Sequence, residues 1–331
     1  MKQTRRKFLL SAGAALSSAL ALASCKSSSR TESEVYTPSN PSRSRVALAR
    51  KPELFPLGKN PSPENVKQVL RQVIETYAEQ PADKFFARLF RPNDRITLKI
   101  NCLSGKSMST HKELTDALIE LLLQTGHPPD NITVWDRREQ DLLNAGYCLN
   151  RGSGVKIIGA DTIGYESELT AHRSIGSFLT RILAQSDKII SLPVLKDHGI
   201  VGVTLGMKNF FGAIHNPNKY HLEAGNPYVA DLYSHPLIKD KVVLTIIDGL
   251  AAQYEGGPPP MPQWQWNFGG FIVGSDPVAV DRIGLKVIEE QCALHNIPSL
   301  AQASRFPEYI KTAESLGLGN FDLDNIDVIE I

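Results

Sequence analysis

Short apolar runs that each end on a polar residue, separated by helical stripes, constrain this chain more than any other feature. Residues 46–49, 94–100, 132–135, 155–158, 189–192, 242–247, 271–273 and 326–329 read as strands. Between them, residues 65–77 set Val66, Val69, Leu70, Val73, Ile74 and Tyr77 on one helical face. Further helices are expected over 114–123, 175–184 and 308–316. Another is expected from Ser275-Asp276-Pro277, an N-cap followed by proline at the first helical position, to about residue 294. Strands alternating with helices predict an α/β fold. Its mainly parallel sheet would be covered by helices on both faces, as one domain or two closely packed lobes. No G-x-G-x-x-G follows a strand and no G-x-x-x-x-G-K-[ST] occurs, so the usual nucleotide fingerprints are missing.

The first residues belong to a different problem. Thr4 to Leu10 joins Arg5 and Arg6 to Phe8 and Leu9, and an Ala/Leu/Ser run continues to Ala23. This is the pattern of a twin-arginine secretory leader, and Leu22-Ala23-Ser24-Cys25 has the form of a lipobox whose cysteine accepts lipid. Residues 1–25 are therefore expected to be a lipoprotein signal and 26–45, rich in Ser, Pro and charge, a disordered tether. The folded domain is expected to cover 46–331. The destination would be a bacterial membrane, with the protein lipid-anchored and facing the periplasm or the cell exterior. Setting aside Lys2, Arg5, Arg6 and Lys7 takes the formal net charge from +1 to −3, which offers nothing to nucleic acid. With Cys25 lipidated, Cys102, Cys148 and Cys292 remain. They are widely spaced without a C-x-x-C, so no iron–sulfur cluster is expected. One disulfide with a spare thiol, or three buried thiols, would both suit that number.

The densest chemistry lies in residues 191–221. A strand that Pro193 ends is followed by Lys196, Asp197 and His198, then Gly199 and Gly202, then a helix expected from about Thr204 carrying Lys208 and Asn209. His215 and His221 follow in a Gly/Asn/Pro-rich loop. A strand end, a flexible turn and a helix start form an anion site, because free backbone N–H groups and the helix dipole face the ligand. Ligands in open α/β sheets gather at the carboxyl ends of strands. Lys99, Asn101, Asp136, Lys196, His198 and Asp248 are expected to converge there, with Asp276 capping a helix nearby.

The residues Lys99-Ile100-Asn101, Pro193 to Lys196 with His198, Thr204 with Lys208-Asn209 and Gly212, Asp248-Gly249, and the run from Gly274 to Asp281 resemble the domain of unknown function 362 family. The likeness spans residues 46–331, including the closing Gly317-Leu318-Gly319, and K-x-H…T…K-N-x-x-G is its most specific part. The resemblance implies no settled reaction. Many members carry ferredoxin-like modules, and this chain lacks their cysteines. A fainter similarity of layout links it to the nickel-pincer lactate racemase group.

Two classes of function follow. As an enzyme, the protein would hold a small anionic organic substrate with Lys99, Asn101, Thr204, Lys208, Asn209 and Asp276. Lys196, His198 and Asp248 would supply the chemistry, with His198 as general acid/base. A divalent metal on His198, His215 and Asp248 is a subordinate expectation, since no diagnostic metal spacing occurs. As a non-catalytic protein, it would capture a solute in the same pocket, with Trp264 and Trp266 available for stacking, or act as an envelope scaffold docking through residues 256–266. Protein partners are not indicated by the sequence.

Overall fold

The structure, a computed structural model, describes residues 43–331. The expected signal, Cys25 and the tether up to residue 42 lie outside the described residues. Ser44 and Arg45, expected in the tether, open the first strand, Ser44–Arg50. It pairs in parallel with the terminal strand Ile326–Glu330, and Arg43 binds Asp327 across the seam at 2.6 Å.

Among the described residues the main sheet runs in the order Ile326–Glu330, Ser44–Arg50, Gly270–Gly274, Val242–Gln253, Lys188–Leu192, Ile96–Ile100, Ile132–Asp136, Lys156–Gly159. The last five of these are mutually parallel, while Gly270–Gly274 is antiparallel to both its neighbours. The period of two along each strand divides the apolar residues between two cores. Ile96, Leu98 and Ile100 face helices Pro63–Ala78 and Lys112–Gln124. Val46, Ile189 and Ile272 face helices Tyr228–Tyr233, Pro277–Leu294 and Tyr309–Ser315 on the other side. The fold is α/β, a mostly parallel sheet covered on both faces. Each wholly buried aliphatic such as Leu70 or Ile74 contributes about 1.5–3 kcal/mol through removal from water.

The chain moves outward from Ile96–Ile100 through Ile132–Asp136 to Lys156–Gly159. It then returns to lay Lys188–Leu192 on the opposite side of Ile96–Ile100. The strand order reverses there, and two successive connections leave the sheet in opposite directions, opening a crevice at the carboxyl ends.

Three local expectations are corrected, each by a tertiary partner. Residues 175–184 are not one helix: Ile175–Ser177 pairs with Thr170–His172, and only Arg181–Gln185 is helical. Ile175, Leu179 and Leu183 still reach the core, so a hairpin and a short helix satisfy a spacing that reads as helical. Pro193 does end Lys188–Leu192, as expected, but its carbonyl accepts from Asp248 N at 2.8 Å, and a separate strand, Val194–His198, follows parallel to Val242–Gln253; proline lacks only the donor. Val242–Gln253 correspondingly runs through Asp248-Gly249 instead of stopping there. The expected helix from Thr204 is absent: Gly202–Thr204 folds back on Val194–His198, and only Lys208–Ala213 winds, as a 3-10 turn.

Trp264 and Trp266 pack edge-on against Tyr254, with ring centroids 5.8 and 6.0 Å away, as partly buried members of the core's margin. Cys102, Cys148 and Cys292 are free thiols, the first and last buried. No helix among the described residues is long and apolar enough to cross a membrane.

Candidate functional site

A cleft of about 500 Å³ opens at the strand-order reversal. Lys99, Asn101, Asp136, Lys196, His198, Thr204, Lys208 and Asn209 all line it, so eight residues singled out in the sequence converge from four separated stretches. Five lysines and arginines line the cleft against two carboxylates, Asp136 and Asp141. The lining is therefore rich in cationic groups.

Its floor is a closed hydrogen-bond network. Lys99 alternates away from Ile100 and lies beneath the cleft, 1% exposed. Its Nζ donates to Asp136 Oδ1 at 2.7 Å, to the Ile100 carbonyl at 2.5 Å and to Asn209 Oδ1 at 3.1 Å. Asp136 also accepts from the Cys102 and Arg137 amides. Asn209 returns its Nδ2 to the Lys99 carbonyl at 3.0 Å and to Ser191 Oγ at 3.1 Å, tying the 3-10 turn to two strands. A Cβ on Gly212 would stand 2.9 Å from Lys99 Cε and 3.1 Å from Asp136 Oδ1. The K-N-x-x-G spacing thus has a steric cause: asparagine locks the turn, and glycine makes room for the ion pair below it.

The wall is differently made. Along Val194–His198, alternation turns Lys196 and His198 to the cleft and Asp197 away, where it accepts from Gly257 N at 2.8 Å and Arg305 Nη1 at 2.9 Å. Lys196 is wholly buried, with Nζ donating to Ser104 Oγ at 2.8 Å, the Met108 carbonyl at 3.0 Å and Asn101 Oδ1 at 3.4 Å. No carboxylate among the described residues pairs with it, and burial lowers its pKa to about 8. Lys208 makes no hydrogen bond or ion pair among the described residues. Its Nζ lies 4.2 Å from the Phe211 ring centroid, and burial followed by the charges of Lys196 and Lys99 lowers it to about 7. Thr204 Oγ1, in a residue 4% exposed, has no partner among the described residues either.

Two imidazoles complete the wall, stacked with centroids 5.3 Å apart. His198 Nδ1 accepts from the Ile200 and Val201 amides at 3.3 Å, so its proton sits on Nε2. His221 Nδ1 lies 3.1 Å from the Pro217 carbonyl, which can only accept, so its Nε2 keeps the lone pair. Burial and then Lys208 push His198 down to about 2 and His221 to about 4. Both are neutral at physiological pH: one presents a donor, the other a base.

Other expected site residues lie elsewhere. Asp248 is fully buried mid-strand and accepts from His111 N at 2.7 Å and His111 Nδ1 at 2.9 Å. Burial opposes a charge on His111, but Asp248's charge and hydrogen bond outweigh it and raise the imidazole's pKa. Asp276 caps Pro277–Leu294 through Val278 N and Ala279 N, and also accepts from Asn320 N. His215 packs edge-on to Tyr165 and Phe178. The expected metal set of His198, His215 and Asp248 therefore does not fit a metal. No group of three or more His, Cys, Asp or Glu suited to one occurs among the described residues.

The expected backbone anion nest is also taken. Asp281 accepts from Gly206 N at 2.7 Å and Met207 N at 3.0 Å, so a buried carboxylate occupies the donors assigned to a ligand. Sequence reading did not assign Arg137, Arg138 or His221 to the site. Two follow Asp136 at a strand's carboxyl end, the position rule that found Asn101. His221 is signalled only as part of the histidine- and lysine-rich run 191–221, with no role of its own.

Comparison with known proteins adds the following. The chain is 27% identical over 228 residues to the Thylakoid-associated protein sll1697 of Synechocystis sp. (strain ATCC 27184 / PCC 6803 / Kazusa), covering 65% of this chain and 68% of that one. Among solved structures it is similar to a Thermotoga maritima protein, with a TM-score of 0.40 and 12% identity over 72% of this chain and 60% of that one. It is also similar to the lactate racemase apoprotein of Thermoanaerobacterium thermosaccharolyticum, with a TM-score of 0.42 and 11% identity over 75% and 58%. The chain thus spans about 60% of the length of these solved proteins. The profile described as Domain of unknown function (DUF362) matches residues 96–286, from the first strand of the cleft into the helix after Asp276. That is more than half of the sequence, and the chain belongs to this family.

Proposed function

We propose that the cleft binds a small anionic organic molecule and that the protein is an enzyme acting on it. The observation that carries this reading is the pair Lys196 and Lys208, two buried amines on one cleft wall without a carboxylate partner among the described residues. An uncompensated buried ammonium is costly, and a bound carboxylate or phosphate would relieve that cost. Thr204's unpartnered hydroxyl and the Nε2–H of His198 add neutral donors to the same wall. The opposite tautomers of His198 and His221 favour chemistry over plain capture, since a donor and a base side by side can relay a proton. The reaction class follows from neither.

Thermal shift over acetate, pyruvate, succinate and phosphate tests the pocket. A ligand at a hundred times its Kd adds about 2.7 kcal/mol of apparent stability. Lys196→Met should abolish the shift; an equal shift in that variant would end the proposal. Binding without turnover in any assay would leave the solute-capture alternative in its place.

We also propose that the protein is exported and held by lipid on Cys25 to a bacterial membrane. The twin arginines and lipobox support this, and the relative above is itself named for association with a membrane system. Labelling with a clickable palmitate analogue should mark the wild type and not Cys25→Ser; equal labelling of both would overturn it.

A further inference from the structure

Three lysines line the cleft, and among the described residues only one lacks a hydrogen-bond partner. Lys99 and Lys196 each donate three hydrogen bonds that fix the amine in place. Lys208 donates none among the described residues, yet is only 8% exposed and its side chain lines the cavity. Its neighbours are a ring face, two further lysines and two neutral imidazoles. An amine crowded by like charge in a dry site is the environment that makes a lysine nucleophilic.

We infer that Lys208 Nζ forms a Schiff base with the carbonyl group of an oxo acid whose carboxylate is held by the other cations of the cleft. This rests on the anion-site reading above and narrows it to a substrate class. The neutral amine attacks the carbonyl carbon, making one C–N bond while the carbonyl π pair moves to oxygen. Both N–H protons end on that oxygen, which leaves as water, and C=N replaces C=O with no oxidant or reductant consumed. His198 Nε2–H is the donor for the carbonyl oxygen, and His221 Nε2 is the base that receives the proton from nitrogen and passes it on. Lys196, whose amine is fixed by neutral acceptors and does not approach as a free amine, contributes positive charge towards the carboxylate. The lowered pKa of Lys208, about 7, agrees with an unprotonated amine being available at neutral pH.

Reductive trapping tests this on the full chain. Protein is incubated at pH 7 with glyoxylate and cyanoborohydride, and carboxymethylated lysines are mapped by mass spectrometry. Lys208 should be modified roughly tenfold or more faster than the exposed Lys106 and Lys112, because the cleft holds the oxo acid beside its amine. Its labelling should rise through about pH 7. Acetate should compete for Lys208 alone, and Lys208→Arg should lose the adduct while surface labelling stays unchanged. Labelling confined to surface lysines while acetate still stabilises the protein would overturn the Schiff base and leave the anion site standing. Neither labelling nor stabilisation would remove both. Equal labelling of Lys208 by uncharged propionaldehyde would overturn the assignment of an oxo acid.

Discussion

Lys99 and Lys208 share one cleft, both are buried, and they are built for opposite ends. Lys99 has an aspartate, an asparagine and a carbonyl around its amine, with a glycine opposite to make space. Lys208 has a ring face and repulsive neighbours. A saturated buried charge is a structural fastening, whereas an unsaturated one is a cost to the fold that a ligand can offset. The same contrast separates Asn209, whose amide is wholly engaged in tying strands to the turn, from Thr204, whose hydroxyl has no partner.

The comparison breaks first at Lys99. Lys99→Met leaves Asp136 buried and unpaired, and should lower the unfolding free energy by about 3–5 kcal/mol in denaturant titration. A loss no larger than that of an exposed pair such as Lys286–Glu290 would show that the floor is not a fastening. Lys208→Met should act in the opposite sense, raising stability by about 2–3 kcal/mol at pH 7 while abolishing adduct formation with an oxo acid. The sign follows from the folded amine's pKa of about 7 lying below its unfolded value. Burial therefore costs stability wherever the unfolded chain would hold the proton, and the variant's advantage should shrink as pH rises from 7 towards 10.5.

Gly212→Ala drives a methyl group towards Lys99 and Asp136 and should destabilise by about 1–3 kcal/mol. Combined with Lys99→Met, whose side chain can yield, it should cost measurably less, and strict additivity in that cycle would refute the steric explanation. The smallest effect is expected from acid. His198 and His221 have folded values of about 2 and 4, below the unfolded value near 6.5, so the unfolded chain gains protons that the folded one refuses. Stability from this source is complete above about pH 6.5 and should fall by about 1–2 kcal/mol for His198 by pH 5. His198→Asn should flatten that part of the profile.

What was legible in the sequence was whatever depends on local pattern. The strand at Ile96–Ile100, the stripe of Pro63–Ala78 and the cap at Asp276 obey rules of spacing that span a few residues. From strand ends alone, Lys99, Asn101, Lys196 and His198 could be predicted to meet, because a parallel sheet with a reversal in strand order leaves little choice of place. Local pattern failed where a distant residue holds the deciding hydrogen bond. Val194–His198 is a strand because Val242–Gln253 lies beside it. The turn at Gly206 and Met207 is closed to a ligand because Asp281, far along the chain, supplies the carboxylate.

The sequence by itself determined the sheet, its helical covering and the stock of lysines and histidines at the carboxyl ends. Only the tertiary structure decided which of those amines is tied down and which is bare, and which ring nitrogen carries each proton. Those properties depend on partners brought from far along the chain to within about 3 Å, and hydrogen-bond energy falls away too steeply with distance and angle for composition or spacing to foretell them.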